Sequence, residues 1–189
     1  MQLPVTLGLF CGLVSAVSSL RCYECFPQPM QPCTKIPKTC SPSETTCFSA
    51  TTRTTLGGVT TDIPVKTCVK SGGCGEPVSV NLGNTRTTVA SKCCTSDLCN
   101  SEDVPAYGDT TPNGLQCYSC EGEDCSKPLK CLGVEKRCFS VTDKSTGHEV
   151  PVKGCGSPYV CTEEGRVILE QMLGGTIKCC EGQLCNSAE

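Results

Sequence analysis

Tryptophan is absent from the 189 residues, histidine occurs once, and phenylalanine and tyrosine occur four times each. So thin an aromatic inventory rules out a large aromatic core. No G-x-S-x-G, H-E-x-x-H or P-loop pattern occurs, which removes the hydrolase elbow, the zinc-protease helix and the phosphate-cradling loop. The lone His148, beside Gly147, reads as a solvated residue at a hairpin tip, because a base or metal ligand needs partners the sequence does not offer. No enzyme activity, cofactor or metal is therefore expected. No N-x-S/T triplet occurs either, so N-glycosylation is not expected. Sixteen basic residues against nineteen acidic ones leave a net charge of −3. With no basic run, nucleic acid is not expected as a partner.

Long apolar runs are also missing, apart from "LPVTLGLFCGLVSAVSS" at the start. Its strongly apolar part, Leu3 to Val17, is shorter than the roughly 18–20 residues that span a bilayer, so membrane insertion is not expected. It ends in small residues, as a secretory signal peptide does, with cleavage expected after Ser18 or Ser19. Residues 1–19 are therefore expected to be a signal peptide that the mature chain lacks.

What the chain has in abundance is cysteine. Of 21, Cys11 lies in the leader, and the other twenty fall ten on each side of "SEDVPAYGDTTPNG". Even counts in a secreted chain imply a disulfide framework rather than thiolate chemistry. The pairs Cys22/Cys25 and Cys117/Cys120 have zinc-ligand spacing, but in an oxidising compartment that reading loses to bridges. From Cys22 the steps are 3, 8, 7, 7, 21, 6, 19, 1 and 5, and from Cys117 they are 3, 5, 6, 7, 17, 6, 18, 1 and 5. The ends match while the long intervals vary, which marks an internal duplication with loops of changing length. Each half closes on the same phrase, "CCTSDLCN" and "CCEGQLCN". Neighbouring side chains on a strand point to opposite faces, so the vicinal cysteines each need a separate partner.

The long intervals carry strand chemistry. "FSATTRTTLGGVTTDIPVKTC" is rich in Thr and Val around Gly57 and Gly58, and "VSVNLGNTRTTVASK" repeats the design around Gly83 and Asn84. "FSVTDKSTGHEVPVKGC" turns near Gly147. Each predicts a hairpin. "FPQPMQPCTKIPK" holds four prolines and cannot form a long paired strand. "RVILEQMLGG" fits either a strand or a short helix. Glu121, Glu123 and Asp124 form an acidic cluster that reads as a solvated turn.

"LRCYEC" with "CCTSDLCN", and "LQCYSC" with "CCEGQLCN", resemble the opening and closing signatures of lymphocyte-antigen/urokinase-receptor domains. The resemblance implies an all-β, disulfide-rich chain of two tandem three-finger domains. They would cover residues 20–101 and 115–189, joined by a linker at 102–114. It also implies the pairing Cys22–Cys47, Cys25–Cys33, Cys40–Cys68, Cys74–Cys93 and Cys94–Cys99. In the second half it implies Cys117–Cys138, Cys120–Cys125, Cys131–Cys155, Cys161–Cys179 and Cys180–Cys185. The closing Asn100 and Asn186 would be structural, and Gln183, standing where the first copy has Asp97, puts one local hydrogen bond in doubt.

With only Asn186 to Glu189 after the last cysteine, no glycolipid anchor signal is expected, and the product should be secreted. The two-module organisation also resembles gamma-type phospholipase A2 inhibitors. The resemblance thus implies an extracellular protein partner, a secreted phospholipase A2 being one candidate. A toxin-like channel or receptor modulator is the third class, with Arg53 as its lone cationic tip residue. Contact is expected at the tips of the middle hairpins, at Leu56 and Val59 and at His148 and Glu149.

Overall fold

The computed structural model describes residues 19–27, 33–71, 74–143 and 150–187. The expected leader therefore lies outside the described residues, apart from Ser19. Strand β1 (Arg21–Glu24) pairs antiparallel with β2 (Ile36–Thr39), so among the described residues of the proline-rich interval only its end is paired. The middle finger is β3 (Thr46–Leu56) with β4 (Val59–Val69), in unbroken register from Thr46↔Val69 to Leu56↔Val59. Its two-residue turn is Gly57–Gly58, at φ 56° and 84°. Both angles are left-handed, and paired glycines supply them without steric strain. The third finger is β5 (Val78–Asn81) with β6 (Thr85–Cys94), and β6 also pairs with β3.

The second half repeats the scheme. A first finger of β7 (Pro112–Glu121) and β8 (Asp124–Leu132) precedes β9 (Arg137–Asp143), β10 (Val150–Gly156) and β11 (Gly175–Cys180). Between β10 and β11 the chain makes a 3-10 turn at Pro158–Cys161 and then helix α1 (Glu163–Leu173). The ambiguous "RVILEQMLGG" is thus helical, for local reasons. The Thr162 hydroxyl accepts from Gly165 N at 3.1 Å, Glu163 and Glu164 sit in the first turn, and Gly174 ends the helix at φ 74°. Side-chain cap, dipole-favoured acids and left-handed glycine all act together.

Sulfur takes the place of an aliphatic core at each hub. Cys22, Cys40, Cys47 and Cys68 cluster in the first half, and Cys117, Cys131, Cys138 and Cys155 in the second. The first half holds Cys22–Cys47, Cys25–Cys33, Cys40–Cys68, Cys74–Cys93 and Cys94–Cys99. The second holds Cys117–Cys138, Cys120–Cys125, Cys131–Cys155, Cys161–Cys179 and Cys180–Cys185. The vicinal pairs do turn to separate partners. Every one of these bridges stays within its half.

The aliphatic core lies where the halves meet. Phe139, Val141, Val160, Leu169 and Ile177 of the second half are buried together, and Val78, Val80 and Leu82 of the first pack against them. Strand pairing crosses the same junction at Cys155↔Asn81 and Gly156↔Val80, making one seven-stranded sheet in the order β11-β9-β10-β5-β6-β3-β4. Glycine is required at 154, because a Cβ there would lie 2.1 Å from the Asn81 carbonyl oxygen. At the centre sits Glu135, fully buried. Its carboxylate accepts from Ser79 Oγ at 2.7 Å, Asn81 Nδ2 at 3.1 Å, Arg86 Nε at 2.7 Å and Leu132 N at 2.8 Å. One carboxylate with four donors is the fully satisfied form of a buried charge.

The segment between the modules lies against the first one. Ser49 Oγ donates to Asn100 O at 3.5 Å, Thr51 Oγ1 to Val104 O at 2.6 Å and Thr88 Oγ1 to Tyr107 O at 2.8 Å. Lys66, 1 % exposed, donates to Glu102 O and pairs with Asp103 at 3.0 Å. Val104 is buried, and burial raises the Tyr107 phenol above its ordinary range.

Candidate binding site

Two asparagines fasten the closing loops so that the fingers have a fixed base. Asn100 Oδ1 accepts from Tyr23 N at 2.8 Å, and its Nδ2 donates to Tyr23 O at 2.9 Å and Phe48 O at 3.1 Å. Asn186 makes the same three bonds, to Tyr118 N (2.8 Å), Tyr118 O (3.0 Å) and Phe139 O (2.9 Å). Each amide thus ties the first strand of its module to the middle finger. Beside them Asp97 accepts from Arg21 N at 3.0 Å and Gln183 accepts from Gln116 N at 2.8 Å. The bond the Asp-to-Gln difference put in doubt is kept, because an amide oxygen accepts as a carboxylate does. Leu98 and Leu184 both sit at positive φ, 54° and 53°, a conformation that costs about 1 kcal/mol for a residue with a Cβ. The small loops closed by Cys94–Cys99 and Cys180–Cys185, with four residues between the cysteines of each, hold them there.

From this base the middle finger of the first module runs eleven residue pairs to its tip. Leu56 is 58 % exposed and Val59 70 %, and they are direct cross-strand partners. Ile63, 38 % exposed, lies four residues from Val59 on the same face by strand alternation. The opposite face, with Ser49, Thr51 and Lys66, carries the inter-module segment. An apolar patch is thus presented to solvent by a hairpin whose other side is already covered.

Arg53 is not a free cationic tip. It donates to Asp62 through Nε and Nη2, both at 2.7 Å, and these bonds hold the Asp62 carboxyl below its ordinary range. His148 and Glu149, the expected tip residues of the second module, lie outside the described residues. The apolar surface that sequence reasoning did not single out is on α1, where Val167, Ile168 and Met172 are 49 %, 50 % and 70 % exposed. The acidic cluster is solvated as expected of a turn: Glu121, Glu123 and Asp124 are exposed, with Asp124 bonded to Ser126 and paired to Lys127.

Among the described residues, three groups of cysteine sulfurs lie close enough together to suggest a metal site, such as Cys22, Cys40 and Cys68. All are bridged, and a disulfide sulfur is not the thiolate that ligates metal. No helix among the described residues is long and apolar enough to cross a membrane.

Two hubs of sulfur, each sending out three fingers and closing on a Cys-Asn loop, define the three-finger class of extracellular domain. Residues 18–102 match the u-PAR/Ly-6 domain, and residues 115–186 match the snake toxin and toxin-like protein domain. Phospholipase A2 inhibitor NAI of Notechis ater is 30 % identical over 169 residues, covering 82 % of this chain and 84 % of the inhibitor. The urokinase plasminogen activator surface receptor of Bos taurus is 31 % identical over 124 residues, 60 % of this chain and 37 % of the receptor. The urokinase plasminogen activator surface receptor of Mus musculus is 30 % identical over 131 residues, 61 % and 39 % of the two chains. The chain belongs to the u-PAR/Ly-6 family. It spans most of the Notechis inhibitor but less than two fifths of the bovine receptor.

Proposed function

We propose that this chain is a secreted, non-enzymatic protein that binds another extracellular protein through the tip of its first middle finger. The observation that carries the reading is the Leu56/Val59 pair, more than half exposed at the far end of a hairpin of eleven residue pairs. Apolar side chains clustered on a rigid projection are a solvation liability in a monomer and an anchor in a complex. The tandem organisation, with the similarity to inhibitors and receptors, supports a partner outside the cell. Replacing Leu56 and Val59 together by Ser should weaken partner binding tenfold or more, about 1.4 kcal/mol, and leave the thermal midpoint nearly unchanged, since exposed tips add little to stability.

The finer reading is inhibition of a secreted phospholipase A2. Its specific support is the Notechis inhibitor, whose similarity runs through both modules rather than one. An inhibition assay across a panel of secreted phospholipases tests it. Dose-dependent loss of activity supports this reading, and no loss with any enzyme of the panel refutes it while leaving the protein-binding reading intact.

A further inference from the structure

The two modules carry the same row of side chains on the same face, and among the described residues only one of the rows is covered. In the first, the register places Ser49 opposite Lys66 on one side and Lys92 on the other. In the second, it places Ser140 opposite Lys153 and Lys178. Over the first row lie residues 100–104, held by Ser49, by Thr51 and by Lys66, which reaches both the Glu102 carbonyl and the Asp103 carboxylate. Over the second row is a groove of about 760 Å3, lined by Ser140, Lys153, Lys178, Tyr118 and Asn186.

Lys153 is 6 % exposed. Among the described residues no carboxylate, carbonyl or hydroxyl meets its ammonium, whereas its counterpart Lys66 has Asp103, Glu102 O and Ser49 Oγ. The Lys153 ammonium is left to a narrow contact with solvent, and a carboxylate arriving there would give it the partner that Asp103 gives Lys66. The other charged groups facing the groove are Lys178, Glu123 and Asp124. Asp124 is engaged by Ser126 and Lys127, so the groove floor is cationic while its carboxylates stand on the exposed first finger.

We propose that this groove docks an extended acidic peptide segment of a partner protein, taken up as the first module takes up residues 101–104. The acidic side chain pairs with Lys153, the carbonyl before it accepts from the same ammonium, and the backbone lies along β9 as residues 101–104 lie along β3. This site is separate from the finger tip and stands whether or not the tip binds.

The probe is a blocked synthetic peptide of the chain's own segment, Asn-Ser-Glu-Asp-Val-Pro-Ala, titrated into the full-length oxidised protein and followed by amide chemical shifts. Saturable shifts are expected at Ser140, Lys153 and Lys178. They should weaken at least tenfold when the peptide's Asp is replaced by Asn, and likewise in the Lys153→Met variant. The peptide variant is read on unaltered protein, so a folding defect in Lys153→Met does not blur the result. Lys66→Met, in the covered row, should leave the titration unchanged. Absence of saturable shifts, or shifts indifferent to both substitutions, overturns the proposal. Binding seen only after truncation beyond Ser187 also overturns it, because the chain's own end then fills the groove.

Discussion

Among single residues, Asn100 and Asn186 do for each module what an apolar core does elsewhere. Each uses one buried amide to join the first strand to the middle finger through three hydrogen bonds. Asn100→Ala leaves two backbone carbonyls and an amide N–H without partners, and each such group costs about 1–3 kcal/mol. The variant should lower unfolding stability by about 3 kcal/mol, read by denaturant titration of oxidised protein. An effect under about 1 kcal/mol would contradict the role. Asp103 offers a pH test. The Lys66 ammonium holds its carboxyl below the ordinary range. Its stabilising contribution is therefore complete above the unfolded value near ~3.9, and is lost as pH falls through the depressed folded value. Asp103 is 59 % exposed, so solvent screening keeps the effect small. Exchange protection of residues 102–104, taken relative to the intrinsic amide rate at each pH, should fall below about pH 4, and Asp103→Asn should show the lowered protection at neutral pH. Both asparagines were legible from the repeated "LCN". Glu135 was not, since a lone acid in "LGVEKRC" does not announce its partners 49 to 56 positions earlier.

Of the strands and the helix, those governed by local chemistry were the readable ones. Paired glycines between Thr- and Val-rich runs define the β3–β4 turn, and the described part of the proline-rich interval contributes only to the four-residue β2. The region of α1 stayed open between strand and helix because Ile168 and Met172, apolar yet half or more exposed, blur its periodicity. The deciding signal was Thr162 before Glu163 and Glu164, a helix start rather than a strand. Thr162→Ala should remove that cap at a loss of about 1 kcal/mol. Hydrogen exchange should then quicken across the first turn of α1 while β9 and β11 stay protected. Uniform protection across the helix would contradict the assignment. The segment at 102–114, expected from its Pro and Gly to be a plain linker, is held against the first module up to Tyr107 and enters β7 at Pro112. What the composition hides is that Val104 becomes buried there and that Asp103 meets a buried lysine.

Over the molecule as a whole, no described bridge joins the halves, so their mutual placement rests on β5–β10 pairing, the Val78/Val80/Leu82 contact and Glu135. Removing one member of a buried ion pair leaves an uncompensated charge and costs about 3–5 kcal/mol. Here Arg86 is the group left behind, and its Nη2 is already buried without a partner. Glu135→Ala should therefore separate the modules while each keeps its own disulfides. Small-angle scattering should show a larger radius of gyration, and protease should cut between residues 101 and 111. An unchanged radius would mean that the sheet and apolar contact suffice alone. This junction is the part of the fold least visible in the sequence, because it pairs strands from opposite sides of a linker whose composition says only that it turns.

Whether the Leu56/Val59 tip is where a protein partner is held can be read from a paired capture. Immobilised full-length protein and its Leu56→Ser/Val59→Ser variant, shown to have the same thermal midpoint and no free thiol, are exposed to one sample of extracellular fluid. Bound proteins are quantified by mass spectrometry. If the tip is the anchor, at least one protein is retained by the first and reduced tenfold or more on the second. Equal retention of every bound protein on both would contradict it.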